Sequence, residues 1–262
     1  MPVKIPCGQC IGCRLEKSRQ WALRCSHEAT LHQNNCFITL TYNDANLPDN
    51  NSLSLNHFQL FMKRLRKKYG SNIRFYHCGE YGDLNQRPHY HALLFNHDFN
   101  DKIHYKTSNE NKYYISDSLS TLWPYGFSVV GDLTFESAAY VARYCLKKIT
   151  GKSADEHYGD LKPEYATMSR RPGIGQGWFQ KFKSSVYPSD FIVKDGQKMK
   201  PPKYYDRQLE IIDEKEIRKI KSLRIQSSKK HSKDNTPARL ATREIVQRKR
   251  AERLIRGMEN EK

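Results

Sequence analysis

Three short runs rich in β-branched and aromatic residues constrain the fold of this chain most. They are CFITLTY (Cys36–Tyr42), NIRFYHCGE (Asn72–Glu80) and PHYHALLF (Pro88–Phe95), each with the length and composition of a strand. Between the first two lies SLNHFQLFMKRLRKKYG. Here Phe58, Phe61, Met62, Leu65 and Tyr69 recur at helical spacing and read as core, with Ser54 as N-cap and Gly70 as the stop. The turn YGDLNQ joins the second and third runs and predicts an antiparallel hairpin. A polar loop and a short helix ending near Trp123 come next, then a fourth strand, GFSVVGDL. The segment TFESAAYVARYCLKKITG closes the unit as a helix. Its cap is Asp132 or Thr134, Glu136 stands near its start, Lys147 and Lys148 in its last turn, and Gly151 beyond. Strand, helix, strand, strand, helix, strand is the ferredoxin-like (RRM-like) order. It predicts an α+β fold, an antiparallel sheet with helices on one face.

Four segments are expected along the 262 residues. Residues 1–35 form a Cys-rich arm and helix, and 36–151 the α+β core. In 152–200 regularity fades into a basic, Gly- and aromatic-rich loop region packed on that core. Residues 201–262 form a basic tail, helical or partly disordered, with 18 Lys and Arg against 10 Asp and Glu. The whole chain has 45 Lys and Arg against 28 Asp and Glu, a net charge of +17. That excess points to a polyanionic partner, because neutralising phosphates drives nucleic-acid binding. A membrane-surface protein is the weaker reading: there are sixteen tyrosines, no run of membrane-span length, and no apolar signal core in MPVKIPCGQC. The expected location is the cytoplasm, where the seven cysteines serve as thiols or metal ligands rather than disulfides.

Within RPHYHALLF, strand alternation puts His89 and His91 on one face and Tyr90, Ala92 and Leu94 on the other. Two imidazoles on one face make half of a divalent-metal site; the plainer reading is a pair of surface histidines beside a basic groove. Glu80, at the end of the preceding strand, is the candidate third ligand. Its facing depends on register, which sequence does not fix, and Asp83 and Gln86 in the connection are second choices. In the closing helix, Tyr140 and Tyr144 stand four residues apart on one face. Such pairs are usually packing. Here Arg143 and Lys147 sit nearby and can lower a phenol pKa or hold a phosphate.

Cys7, Cys10 and Cys13 form a C-x2-C-x2-C run, with Cys25 or His27 available as a fourth ligand. A structural Zn²⁺ there would tie the arm to the first helix. An iron–sulfur run would place its next cysteine where Lys17 stands, and reduced thiols in packing are the third reading. Cys36, Cys78 and Cys145 read as small core residues. The segment SRRPGIGQGWF joins Arg170 and Arg171 to three glycines, Trp178 and Phe179. It either brings amides to phosphates and an aromatic to a base, or is an irregular loop covering the core. Arg248, Lys249 and Arg250 in the tail read as non-specific phosphate contacts or a solvated helix face.

FITLTY, RPHYHALLF and YVARYCLKK occur in the order of the three motifs of rolling-circle replication initiators, the HUH endonucleases. The tyrosine block resembles that of the two-tyrosine initiators of microviruses, Tyr-Val-Ala-Lys-Tyr-x-x-Lys. Arg143 replaces the first lysine and Lys147 matches the second. PCGQCIGCRLEKSRQWALR and MSRRPGIG further resemble the gokushovirus branch. The resemblance covers roughly residues 5–180 and does not reach the tail. It implies that 36–151 is an HUH endonuclease core in which His89, His91 and Glu80 hold Mg²⁺ or Mn²⁺ against a scissile phosphate. It implies Tyr140 and Tyr144 as alternating nucleophiles with Lys147 beside them. Arg87, Arg143, Lys148, Arg170, Arg171 and Trp178 would contact single-stranded DNA at the origin. A 5′-phosphotyrosine link would form, the free 3′-OH would prime synthesis, and rejoining would release a circle. Host helicase and polymerase are the implied further partners, in the cytoplasm of a bacterial host. The rival readings are a non-catalytic, basic single-strand-binding protein and a transposase or relaxase of the same superfamily.

Overall fold

The strand CFITLTY lies at the centre of the molecule's main sheet, because Cys36 through Leu40 are buried on both faces. The computed structural model describes residues 6–82, 85–108, 110–144, 148, 149, 151 and 153–252, apart from the side chains of Tyr144 and Ser153. Lys147, Asp83 and Cys145 lie outside the described residues. The elements are α1 (Ile11–Ala29), β1 (Asn35–Thr41), α2 (Leu55–Tyr69), β2 (Arg74–Tyr81), β3 (Pro88–Phe95), β4 (Ile103–Ser108), β5 (Asn111–Ile115), α3 (Asp117–Leu122), β6 (Ser128–Asp132), α4 (Phe135–Tyr144), α5 (Ser153–Tyr158), β7 (Tyr165–Met168), α6 (Gln176–Val186), β8 (Ile192–Lys194), β9 (Gln197–Met199), α7 (Lys203–Ile212), α8 (Glu214–Lys230) and α9 (Pro237–Glu252).

The described residues fall into two compact units. One is Trp21–Gly175; the other joins the chain up to Gln20 to the chain from Gln176 on. In the first, seven strands form one antiparallel sheet in the order β4-β5-β6-β1-β3-β2-β7. The α+β antiparallel sheet expected from the order of elements is present. It is wider than expected: the polar loop before α3 contains the β4–β5 hairpin, and the fading region after α4 supplies β7 as an edge strand on β2.

Period-two alternation builds two apolar surfaces. On one, Ile38, Leu40, Tyr90, Ala92, Leu94 and Val130 meet Phe58, Phe61, Met62 and Leu65 of α2 and Leu119 and Leu122 of α3. Burying a ring such as Phe58 is worth several kcal/mol, since truncation to Ala costs about 3–5 kcal/mol. Tyr69, read as part of this stripe, is 41% exposed instead, on the last turn of α2. Ser54 caps α2 without a side-chain bond. The Tyr90 hydroxyl holds the Ser54 backbone in place, accepting from its N–H at 2.8 Å and donating to its carbonyl at 3.0 Å. On the second surface, Phe37, Tyr76, Cys78, Leu93 and Phe95 pack with Ala22 and Cys25 of α1 and with Ala138, Tyr140, Val141 and Ala142 of α4. Helices therefore flank both faces, not one. Thr134 caps α4: its hydroxyl accepts from Ser137 N–H at 3.1 Å, and Ser137 Oγ accepts from Thr134 N–H at 2.8 Å.

In the second unit, Phe179, Tyr187, Tyr205, Leu209, Ile217 and Ile220 are buried. Arg224 of α8 bridges Asp190 and Asp206, and the Tyr187 hydroxyl donates to Asp206 at 2.7 Å. α7 and α8, in the segment expected to be a solvated tail, therefore carry buried residues, whereas α9 has none. Among the described residues, no helix is long and apolar enough to cross a membrane.

Candidate metal and nucleophile site

Glu80 pairs directly with His89 across β2 and β3, and Cys78 with His91. Residues opposite one another share a face, so this register puts the carboxylate and both imidazoles together. Glu80 Oε1 lies 2.8 Å from His89 Nε2 and 3.1 Å from His91 Nε2, and the three ligand atoms fall within 4.8 Å of one another. Glu80 and His91 are buried; His89 is partly open to solvent. Gln86, a second-choice ligand, is exposed in the connection.

The outer nitrogens fix how the rings present themselves. His89 Nδ1 is 3.0 Å from the Arg87 carbonyl. A carbonyl only accepts, so Nδ1 carries a proton and donates it. In the neutral ring, Nε2 then turns its lone pair toward Glu80. His91 Nδ1 lies 3.0 Å from the Thr39 hydroxyl, which can donate or accept, so this bond orients the ring without fixing its tautomer. Burial opposes a charge on Glu80, but the bonds to His89 and His91 and their charge outweigh it, and the carboxyl is lowered to about 2. An ionised, buried carboxylate against two imidazole Nε2 atoms calls for positive charge between them, supplied by protons on the imidazoles or by a divalent cation. The donor set therefore fits a metal: two imidazoles and a carboxylate, with outer-shell bonds that orient the rings.

Tyr140 stands beside this group. Its ring is 5.2 Å from that of His91 at 80°, edge to face, and 6.2 Å from Phe37. The residue is 4% exposed. Tyr144 ends α4 one turn later.

The other expected site residues are dispersed. Arg87 donates to the Tyr42 carbonyl at 2.9 Å and pairs with Asp44, tying the start of β3 to the loop after β1. Lys148, Arg170 and Arg171 are exposed, and Arg143 is half-buried. Trp178 is half-buried, its ring stacked against Tyr205 at 5.8 Å and tilted against Phe182 at 5.1 Å. Cys7, Cys10 and Cys13 do come together, their sulfurs within 4.8 Å. Cys25 and His27 do not join them. Cys25 is enclosed under the sheet with Ala22. Burial holds His27 neutral, lowering its pKa to about 3. Thr39 is the participant that the strand pattern conceals. Its signal is a lone hydroxyl in an otherwise apolar, buried run.

The chain matches the family described as replication-associated protein ORF2/G2P over residues 35–149, the stretch that contains all of these elements from β1 through α4. It is 36% identical over 210 residues to replication-associated protein VP4 of Bdellovibrio phage phiMH2K, covering 76% of this chain and 65% of that one. It is 37% identical over 222 residues to replication-associated protein ORF2 of Spiroplasma virus 4, covering 79% and 68%. With replication-associated protein ORF4 of Chlamydia phage 1 the identity is 31% over 211 residues, covering 77% and 52%. The aligned part thus spans between half and about two thirds of these relatives. No solved structure matches. With the motifs, the fold and these relatives in agreement, the chain belongs to the microvirus-type phage replication-associated proteins of the ORF2/G2P family.

Proposed function

We propose that this protein initiates rolling-circle replication by nicking and rejoining single-stranded DNA at an origin through a tyrosine. The observation that carries the reading is the convergence of Glu80, His89 and His91 on one sheet face with the Tyr140 ring against His91. A bound Mg²⁺ or Mn²⁺ would supply the positive charge that polarises a phosphate oxygen. Glu80, His89 and His91 would hold that ion, and the Arg87 carbonyl and Thr39 hydroxyl keep the imidazoles aimed. Tyr140 or Tyr144, as phenolate, attacks the scissile phosphorus. The new Tyr O–P bond forms as the P–O3′ bond breaks, and the leaving 3′ oxygen takes a proton to become the primer hydroxyl. The phosphotyrosine keeps the phosphodiester energy, so rejoining needs no nucleotide cofactor. Lys147 follows Tyr144 by three residues in the sequence. Its proposed role is to favour the phenolate or hold the phosphate. The exposed Lys148, Arg170 and Arg171, with Arg143, are the proposed strand contacts. Host helicase and polymerase are the proposed partners, and the host cytoplasm the proposed place of action.

The same reading includes a Zn²⁺ at the head of α1. Cys7 and Cys13 Sγ lie 4.0 Å apart. That is far beyond a disulfide of about 2.05 Å and near the separation of about 3.8 Å that 2.3 Å bonds at tetrahedral angles require. The Cys10 N–H donates to Cys7 Sγ at 3.3 Å, which stabilises a thiolate there.

The test is cleavage of an origin-bearing single strand by wild type and by the His89→Ala/His91→Ala double variant. We expect metal-dependent cleavage that the double variant loses while it still binds the strand, since binding comes from dispersed Lys and Arg. A metal-independent cut surviving in the double variant contradicts the metal assignment, and a shifted band with no cut in wild type leaves a binding protein.

A further inference from the structure

The row of residues that carries Glu80 and His89 continues across the sheet. Glu80 stands opposite His89, and His89 opposite Thr41. The β1–β6 register pairs Leu40 with Ser128, so its next pair is Thr41 with Phe127. The Thr41 N–H donates to the Phe127 carbonyl at 2.8 Å, in keeping with that pairing. Residues paired across antiparallel strands point to one face. Phe127 therefore shares the face of His89. Gly126 permits this close approach: a Cβ there would lie 2.4 Å from the Thr41 carbonyl oxygen and 2.3 Å from the Asn43 nitrogen.

Phe127 is 45% exposed, and the ring beside it, Tyr105, is 49% exposed. Their centroids are 5.5 Å apart at 60°. Tyr105 is the residue that the β-bulge between His104 and Lys106 leaves out of the β4–β5 register. An unpaired bulge residue bends its strand and re-aims its side chain. Lys106 Nζ lies 5.8 Å from the Tyr105 ring. Two large rings left half in water by a bulge and a glycine contribute little to a core. Exposed aromatics beside a cation are the elements with which proteins hold single strands, the rings stacking on bases and the cation meeting phosphate. Two strand spacings, about 10 Å, separate the Phe127 backbone from that of His89. A base flanking a phosphate at the histidines is within that reach.

We propose that Tyr105 and Phe127 form a stacking platform for a nucleobase of single-stranded DNA next to the scissile phosphate. This rests on the nicking reading above and adds to it the surface that positions the strand. Binding is measured by fluorescence anisotropy with a labelled oligothymidylate in EDTA, where no cut occurs. The Tyr105→Ala/Phe127→Ala variant should bind about 5- to 150-fold more weakly than wild type, the range for losing one stacked base. Tyr105→Phe/Phe127→Tyr should bind as wild type. An all-abasic strand should bind wild type and the double-Ala variant equally, because it has no base to stack. Wild-type affinity of the double-Ala variant for oligothymidylate, with unchanged thermal stability, overturns the platform and leaves the nicking reading intact. Weakened binding by a protein that never nicks keeps the platform and removes the nicking reading. A wild type that binds no single strand overturns both.

Discussion

The Thr39 hydroxyl lies 3.0 Å from His91 Nδ1, at a position where the two residues face each other across β1 and β3. That bond fixes the ring whose Nε2 meets Glu80. Thr39→Val keeps shape and strand preference but removes the hydroxyl. Metal affinity should fall about 10–100-fold, the usual effect of losing an outer-shell partner, and Thr39→Ser should restore it. An unchanged metal titration for Thr39→Val shows that packing alone orients His91.

Glu80→Gln keeps the side chain's size and removes its charge. Metal affinity, read by Mn²⁺ titration, is expected to fall about 10–100-fold. Equal affinity for wild type and variant would transfer the ligand role to Asp83 or Gln86.

For the tyrosines, Tyr140→Phe and Tyr144→Phe should each retain some nicking of a short origin strand, and the double variant none. Phe keeps the apolar ring that packs against His91 and Phe37, so the loss is not a cavity effect. If one single variant is inactive and the other supports repeated rounds unaided, the alternating scheme fails while the nickase remains.

Acid should destabilise the fold through His27. Burial lowers its folded pKa to about 3, against about 6.5 when unfolded. The unfolded state therefore binds the extra proton between these values. The stabilisation is complete above about pH 6.5 and is lost as pH falls toward 3. Each such proton contributes a slope of about 1.4 kcal/mol per pH unit. Urea melts of His27→Gln between pH 6 and pH 4 should show a slope smaller by roughly that amount; the wild-type slope in the variant removes His27 from the account.

Freshly purified protein is expected to carry about one zinc per chain by elemental analysis. Cys7→Ser, Cys10→Ser and Cys13→Ser should each lower that content, and Cys25→Ser should not, because Cys25 is enclosed in the core. Zinc-free wild type rules the site out.

The facing of His89 and His91 was legible because a strand has period two, and the α2 core stripe because its period is that of a helix. Glu80 was legible only as a candidate: its pairing with His89 depends on the register of the β2–β3 hairpin. The β4–β5 hairpin escaped because β4 is mostly exposed and a bulge breaks its alternation. β7 escaped because four half-buried residues become a strand only through pairing with β2, about ninety residues earlier in the chain. Cys25 resembled a ligand by proximity in sequence, yet helical spacing puts it with Ala22 on the buried side of α1. Trp178 was legible as an aromatic beside a basic loop, but its stacking on Tyr205, twenty-seven residues later, was not.

The most direct measurement is a mass spectrum of the peptide linked to cleaved DNA after incubation with Mn²⁺ and an origin-bearing single strand. A peptide containing Tyr140 or Tyr144, modified on the tyrosine by a 5′-phosphorylated nucleotide, is the predicted result. An adduct on any other residue, or cleavage without an adduct, contradicts it.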